Sequence, residues 1–172
     1  MTTSTERETL KLQPDWRFVL SHPAHFLAFG FGSGLARKAP GTWGTLAAYP
    51  LFFVLNALGV QGLALAVLCL PLFVAGVWIC GYTGKALGVH DYGGIVWDEI
   101  VAMLLVLAFT PATPLGWLLA FALFRLFDIL KPWPIRWLDR RVGGGFGVMV
   151  DDLLAAAFAL AAMWLLLRGW PL

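Results

Sequence analysis

Half of the ten acidic residues in this chain stand at the edges of apolar runs. Asp98 and Glu99 lead into IVAMLLVLAF, Asp128 falls near the end of LGWLLAFALFRLFDIL, and Asp151 and Asp152 open DDLLAAAFALAAMWLLL. A carboxylate at depth in lipid costs roughly 2.5–3.5 kcal/mol on insertion scales, so a metal, a partner or a substrate must justify it. Hard divalent cations such as Mg²⁺ take oxygen ligands, commonly one or two carboxylates completed by water and substrate phosphate. Adjacent acids on a helix point about 100° apart. Each of the pairs Asp98–Glu99 and Asp151–Asp152 can therefore offer one side chain to a bundle interior and the other to a neighbour or a second ion. The positive end of a helix dipole would also favour either pair, but Asp128 sits at a C-terminal end, where that argument fails. All five are candidate metal ligands and catalytic groups.

Cations accompany them. Arg125 lies three residues before Asp128, on the same helix face. It is either an internal counter-ion or a fork for phosphate oxygens. Lys131, followed by Pro132 and Pro134, ends its helix and serves as a positive anchor or a phosphate clamp. The stretch GFGSGLARKAPGTWGT (Gly30–Thr45) holds five glycines with Ser33, Arg37, Lys38, Thr42 and Thr45. Its turn amides suit phosphate, although a glycine-rich entry at a membrane boundary is the plainer reading and no P-loop pattern is present. Lys38, Thr42, Arg125 and Lys131 are the candidate phosphate-binding residues. GGGFG (Gly143–Gly147) reads as a connector. His22, His25 and His90 show no metal-ligand spacing, though His90–Asp91 lies just upstream of Asp98.

The elements that must position these groups are apolar helices. Of 172 residues 60% are hydrophobic and only 13% charged, against about 25% charged in soluble domains. Mean hydropathy is +0.79. The expected class is an all-α integral membrane protein: a compact bundle of about five short transmembrane helices, since lipid leaves no alternative for the backbone. The segments are roughly Gly44–Leu58, Leu63–Cys80, Ile95–Phe109, Leu115–Leu130 and Val150–Leu167, with Pro50 and Pro71 as expected kinks. His25–Gly34 reads as an additional interfacial or re-entrant helix. Residues 1–20 form a polar cytoplasmic segment without the apolar core of a signal peptide, and 21–172 a single membrane-embedded domain. Cys69 and Cys80 stand about 16 Å apart on one helix, too far for a disulfide. A net charge of +2 and the absence of a basic tract exclude nucleic acid as a partner.

Loop charges give an orientation. Arg7, Lys11, Arg17, Arg37 and Lys38 precede the first span, and Lys131, Arg136, Arg140 and Arg141 follow the fourth, whereas the intervening outer loops carry none. Positive residues stay inside, so the N-terminus is cytoplasmic and the C-terminus outside. That places all five acids, with Lys38, Arg125 and Lys131, at the cytoplasmic interface.

KAPGTWGT (Lys38–Thr45), IVWDE (Ile95–Glu99), FRLFDILKPWPI (Phe124–Ile135) and GVMVDDLLA (Gly147–Ala155), taken in order, resemble the phosphatidylglycerophosphatase A family of bacterial membrane phosphatases. The resemblance implies a multi-pass, Mg²⁺-dependent phosphatase of the inner membrane acting on a phospholipid, phosphatidylglycerophosphate, with its site facing the cytoplasm. The competing expectation is a cation- or proton-coupled transporter using the same carboxylates.

Overall fold

The structure, a computed structural model, describes residues 14–89 and 92–169, with side chains as far as residue 167. Arg7, Lys11 and His90–Asp91 lie outside the described residues. Every element is helical. Two short helices, α1 (Trp16–Leu20) and α2 (Pro23–Ala28), lead through a 3-10 segment (Gly30–Leu35) into α3 (Pro40–Ala57). Then come α4 (Leu63–Leu87), α5 (Trp97–Ala108), α6 (Pro114–Leu130), the short α7 (Ile135–Asp139) and α8 (Gly144–Gly169).

The five long helices fall close to the five expected apolar segments, with informative differences at their ends. α3 begins at Pro40 rather than Gly44, because proline at the first helical position has its missing amide and fixed φ suited to a helix start. α4 continues beyond Cys80 to Leu87, where Thr83 and Gly84 are buried. Pro50 and Pro71 both lie inside continuous helices. The expected re-entrant helix is broken in two: Phe31 and Gly32 have positive φ inside the 3-10 segment, while Ala28 and Phe29 are fully buried. Packing extends N-terminally into α1, whose Val19 is fully buried.

α5 is the centre of the bundle. It packs against α3, α4, α6 and α8, and nine of its 12 residues are buried. At 1.5 Å per residue it rises only about 18 Å, well short of the ~30 Å hydrocarbon layer. Among the described residues, α4 and the Gly144–Leu167 part of α8 combine the length and apolarity needed to cross a membrane. Leu63, Val67, Leu70, Val74 and Trp78 form an outward stripe on α4, each more than half exposed. An apolar face of that extent on a monomer marks contact with lipid or another protein. Cys69 and Cys80 are buried and unbridged, as their spacing required.

α4 and α8 meet backbone to backbone. A Cβ at Gly145 would collide with the Val77 carbonyl oxygen and lie 2.7 Å from the Gly81 nitrogen. This contact corrects the reading of Gly143–Gly147 as a connector: from Gly144 onward the glycines are the first turn of α8. It also corrects the position of Asp151 and Asp152. They lie about two turns inside the helix, not at its N-terminus, so the helix dipole does not account for them.

Candidate active site: a buried acid cluster

Three elements bring the acids together. The segment before α5 is tied down by Val96, whose amide donates to the Ala28 carbonyl at 2.8 Å, and Asp98 and Glu99 then occupy the first turn of α5. α6 carries Asp128 in its last turn, while α8 packs alongside both. Asp98, Asp151 and Asp152 are each less than a tenth exposed.

The five carboxylates do not play one part. Asp98, Glu99 and Asp152 can each present an oxygen so that the three atoms lie within 4.8 Å of one another. Glu99 Oε2 and Asp152 Oδ2 are buried and have no hydrogen-bond partner among the described residues. Hard oxygen donors converging on one point, with lone pairs left over, suit a small divalent cation. Asp128 and Asp151 are instead occupied by cations. Arg125 Nη1 donates to Asp128 Oδ2 and stands 3.8 Å from Glu99 Oε1, so one guanidinium links α6 to α5. Lys131 Nζ donates to Asp151 Oδ2 on α8 and, at 3.0 Å, to Asp139 Oδ1 at the end of α7. Burial alone would lower the Lys131 pKa, but the two carboxylates outweigh it and hold the ammonium above the usual lysine range. Asp151 Oδ1 in turn accepts from the Asp152 amide at 3.1 Å.

Local backbone explains why these side chains meet. Lys131 is the residue after α6 and adopts a left-handed conformation (φ 42°), which turns the chain sharply while its amide still caps Phe127 at 2.9 Å. On the other side, Gly41 in the first turn of α3 leaves room for the cluster. A Cβ there would collide with Glu99 Oε1 and lie 3.1 Å from Arg125 Nη1. The positive end of the α3 dipole thus faces the carboxylates. The motif containing Lys38 and Thr42 therefore reaches the site through Gly41. Thr42 is half-buried, Lys38 is exposed, and among the described residues Lys38 makes no ion pair with the acids. Gly41 and Asp139 are the participants that sequence reading missed. For Gly41 the signal was the Pro-Gly pair opening a helix.

The sequence model of the phosphatidylglycerophosphatase A family matches residues 26–167. The chain belongs to this family. It is similar to the phosphatidylglycerophosphatase A of Escherichia coli strain K12, 44% identical over 157 residues that cover 91% of this chain and 90% of that one. The Haemophilus influenzae phosphatidylglycerophosphatase A is 48% identical over 163 residues, covering 93% and 95%. A putative phosphatidylinositol-3-phosphatase of Bacteroides thetaiotaomicron is 36% identical over 137 residues, covering 76% of this chain and 84% of its own. No solved structure matches the chain significantly. The matched span contains all five acids, Arg125 and Lys131, so the whole cluster lies within the phosphatidylglycerophosphatase A region. The relatives' names are those of phosphatases, and the chain is an enzyme of that kind rather than a transporter.

Proposed function

We propose that this protein hydrolyses phosphatidylglycerophosphate to phosphatidylglycerol and inorganic phosphate, with Mg²⁺, at the cytoplasmic face of the bacterial inner membrane. The observation that carries the reading is the convergence of Asp98, Glu99 and Asp152 oxygens beside two half-buried cations that already hold carboxylates. With all five acids ionised, Arg125 and Lys131 leave three negative charges uncompensated. A phosphate monoester would be repelled from such a site unless a further cation neutralised it.

Asp98, Glu99 and Asp152 are the residues that would hold the ion, and Asp128 and Asp151 adjoin them. A bound Mg²⁺ supplies charge neutralisation at phosphoryl oxygens and acidifies water. Arg125 contributes a guanidinium oriented by Asp128, with a buried Nε that has no partner among the described residues, and so has N–H groups for phosphate oxygens. Lys131 fixes Asp151, and through the Asp152 amide keeps Asp152 aimed inward. The first turn of α3 adds dipole stabilisation as negative charge moves to the leaving oxygen. A carboxylate not engaged by the ion takes the proton from the attacking water or attacks phosphorus itself. In either course the ester P–O bond breaks and the glycerol oxygen leaves with a proton from the base or from water; where a carboxylate has attacked, water then cleaves the acyl phosphate, releasing inorganic phosphate and restoring the carboxylate.

Five long helices, two of them apolar enough to cross a membrane, together with the basic segment after α6, support a multi-pass protein with this site at the cytoplasmic interface. The test is phosphate release from phosphatidylglycerophosphate by the purified protein in detergent. Activity should vanish with EDTA, return with Mg²⁺, and be absent in D98N. Full turnover in EDTA, or in D98N, would refute the metal assignment.

A further inference from the structure

The acid cluster consumes only part of the positive charge at this end of the molecule. Between the end of α6 and α7 lies an open cavity of about 620 Å³, lined among others by Lys131, Trp133, Arg136, Trp137, Arg140 and Arg141. The one acid of this stretch, Asp139, is bonded to Lys131. Arg136, Arg140 and Arg141 are exposed and, among the described residues, pair with no carboxylate. The Arg141 guanidinium lies 4.6 Å above the Trp137 ring, which orients its planar fork without consuming its N–H groups. Trp133 is 79% exposed, the placement of an indole at a lipid headgroup layer. Lys131 is the shared wall: it lines the cavity while its ammonium reaches Asp151, the neighbour of Asp152.

The proposed substrate carries two phosphates, a terminal monoester and, one glycerol unit away, the phosphodiester joining headgroup to lipid. The acid cluster accounts for the monoester only. Resting on the lipid-phosphatase reading, we infer that this cavity binds the phosphodiester of the same molecule, with Arg136, Arg140 and Arg141 as its donors. Trp133 and Trp137 sit at the boundary with the acyl region. These arginines are specificity residues that grip the substrate away from the reacting phosphorus. An orienting role for loop charge alone requires positive charge. It does not require a cavity, nor a guanidinium stacked on an indole.

The test uses the full chain in neutral detergent micelles, with phosphatidylglycerophosphate as substrate and phosphatidylglycerol, which keeps only the diester, as competitor. R136A/R140A/R141A should raise KM about tenfold, the scale of losing charge-assisted hydrogen bonds, with kcat within about twofold, because binding common to ground and transition states is removed. Phosphatidylglycerol should inhibit the unaltered protein competitively and the triple variant much less. R136K/R140K/R141K preserves the loop charge, and hence insertion, and should recover only part of the KM. Unchanged KM and unchanged inhibition in the alanine variant would overturn the inference and leave the phosphatase reading intact. Complete recovery by lysine would also overturn it, marking the arginines as generic charge. Should the alanine variant not insert, an unchanged KM in the lysine variant decides against the inference. A failure of the unaltered protein to release phosphate instead removes the earlier reading.

Discussion

Two buried polar clusters in this protein follow opposite plans. Where α2 meets α4, His25 is buried, its Nδ1 lies 3.0 Å from Thr83 Oγ1, and its ring stacks on Phe18 at 4.4 Å and on Tyr82 at 5.4 Å. His22 caps the start of α2, accepting from the Ala24 amide at 3.1 Å. Those groups find their partners within the fold. In the acid cluster, Glu99 Oε2, Asp152 Oδ2 and Arg125 Nε are buried without one among the described residues. Leaving a buried polar group unsatisfied costs about 1–3 kcal/mol, more when it is charged. The histidines are satisfied by neighbouring helices, whereas the acid cluster leaves atoms that its own helices do not satisfy, as the proposed metal and phosphate would require.

The contrast breaks first, if at all, at the proposed metal ligands. D98N and D152N should each lower kcat by about a thousandfold or more, the scale of losing a central electrostatic group, while melting temperature in detergent stays equal or rises. A large drop in melting temperature would make the acids structural. K131M comes next: it strips Asp151 of its ammonium and loosens Asp152, costing about 10–100-fold in activity, as for other groups that orient ligands. The expected accompaniment is a higher Mg²⁺ requirement in the same assay. G41A should cost about tenfold in kcat/KM with little change in stability, because its Cβ meets the flexible ends of Glu99 and Arg125 rather than backbone.

The smallest effects belong to the histidine cluster. T83V should cost about 1 kcal/mol of stability and leave kcat unchanged. Burial, aided by the charge of His22, holds the His25 pKa below 6.5. The unfolded chain therefore takes up this proton at higher pH than the folded one. The associated stability is complete above pH 6.5 and is lost as pH falls below it. Thermal unfolding across that range should show the slope, and H25N should flatten it.

The gathering of the acids into one candidate site was legible in the sequence at the level of residue types. Acids bordering apolar runs are costly enough to stand out, and all five converge. Their division of labour was not legible. Asp151 is adjacent to Asp152 and chemically identical, and only the left-handed turn at Lys131 diverts it to an ammonium. Asp139 drew no notice among the basic residues of its loop, and only the fold of α7 brings it back onto Lys131. The start of α8 was misplaced because glycine is a poor helix former, and what holds Gly145 and Phe146 in place is contact with α4 through Val77, Gly81 and Phe73, a tertiary term that local propensity does not contain. The end of α4 was placed early for a related reason: Gly81, Thr83, Gly84 and Lys85 look like a terminus, but α2 buries Thr83 against His25.

The main-chain contact at Gly145 has a consequence for precision. A helix advances 1.5 Å and rotates 100° per residue, so a slip of one residue along α8 would swing Asp152 through more than a quarter turn, away from Asp98 and Glu99. With no side chain interposed at Gly145, the height and rotation of α8 are referenced to the rigid backbone of α4 instead of being averaged over rotamers. Asp152 lies seven residues further on, about 10 Å along the axis. The tolerance of the acid cluster is therefore set at a point that has no chemistry of its own, by a residue whose contribution is the volume it lacks.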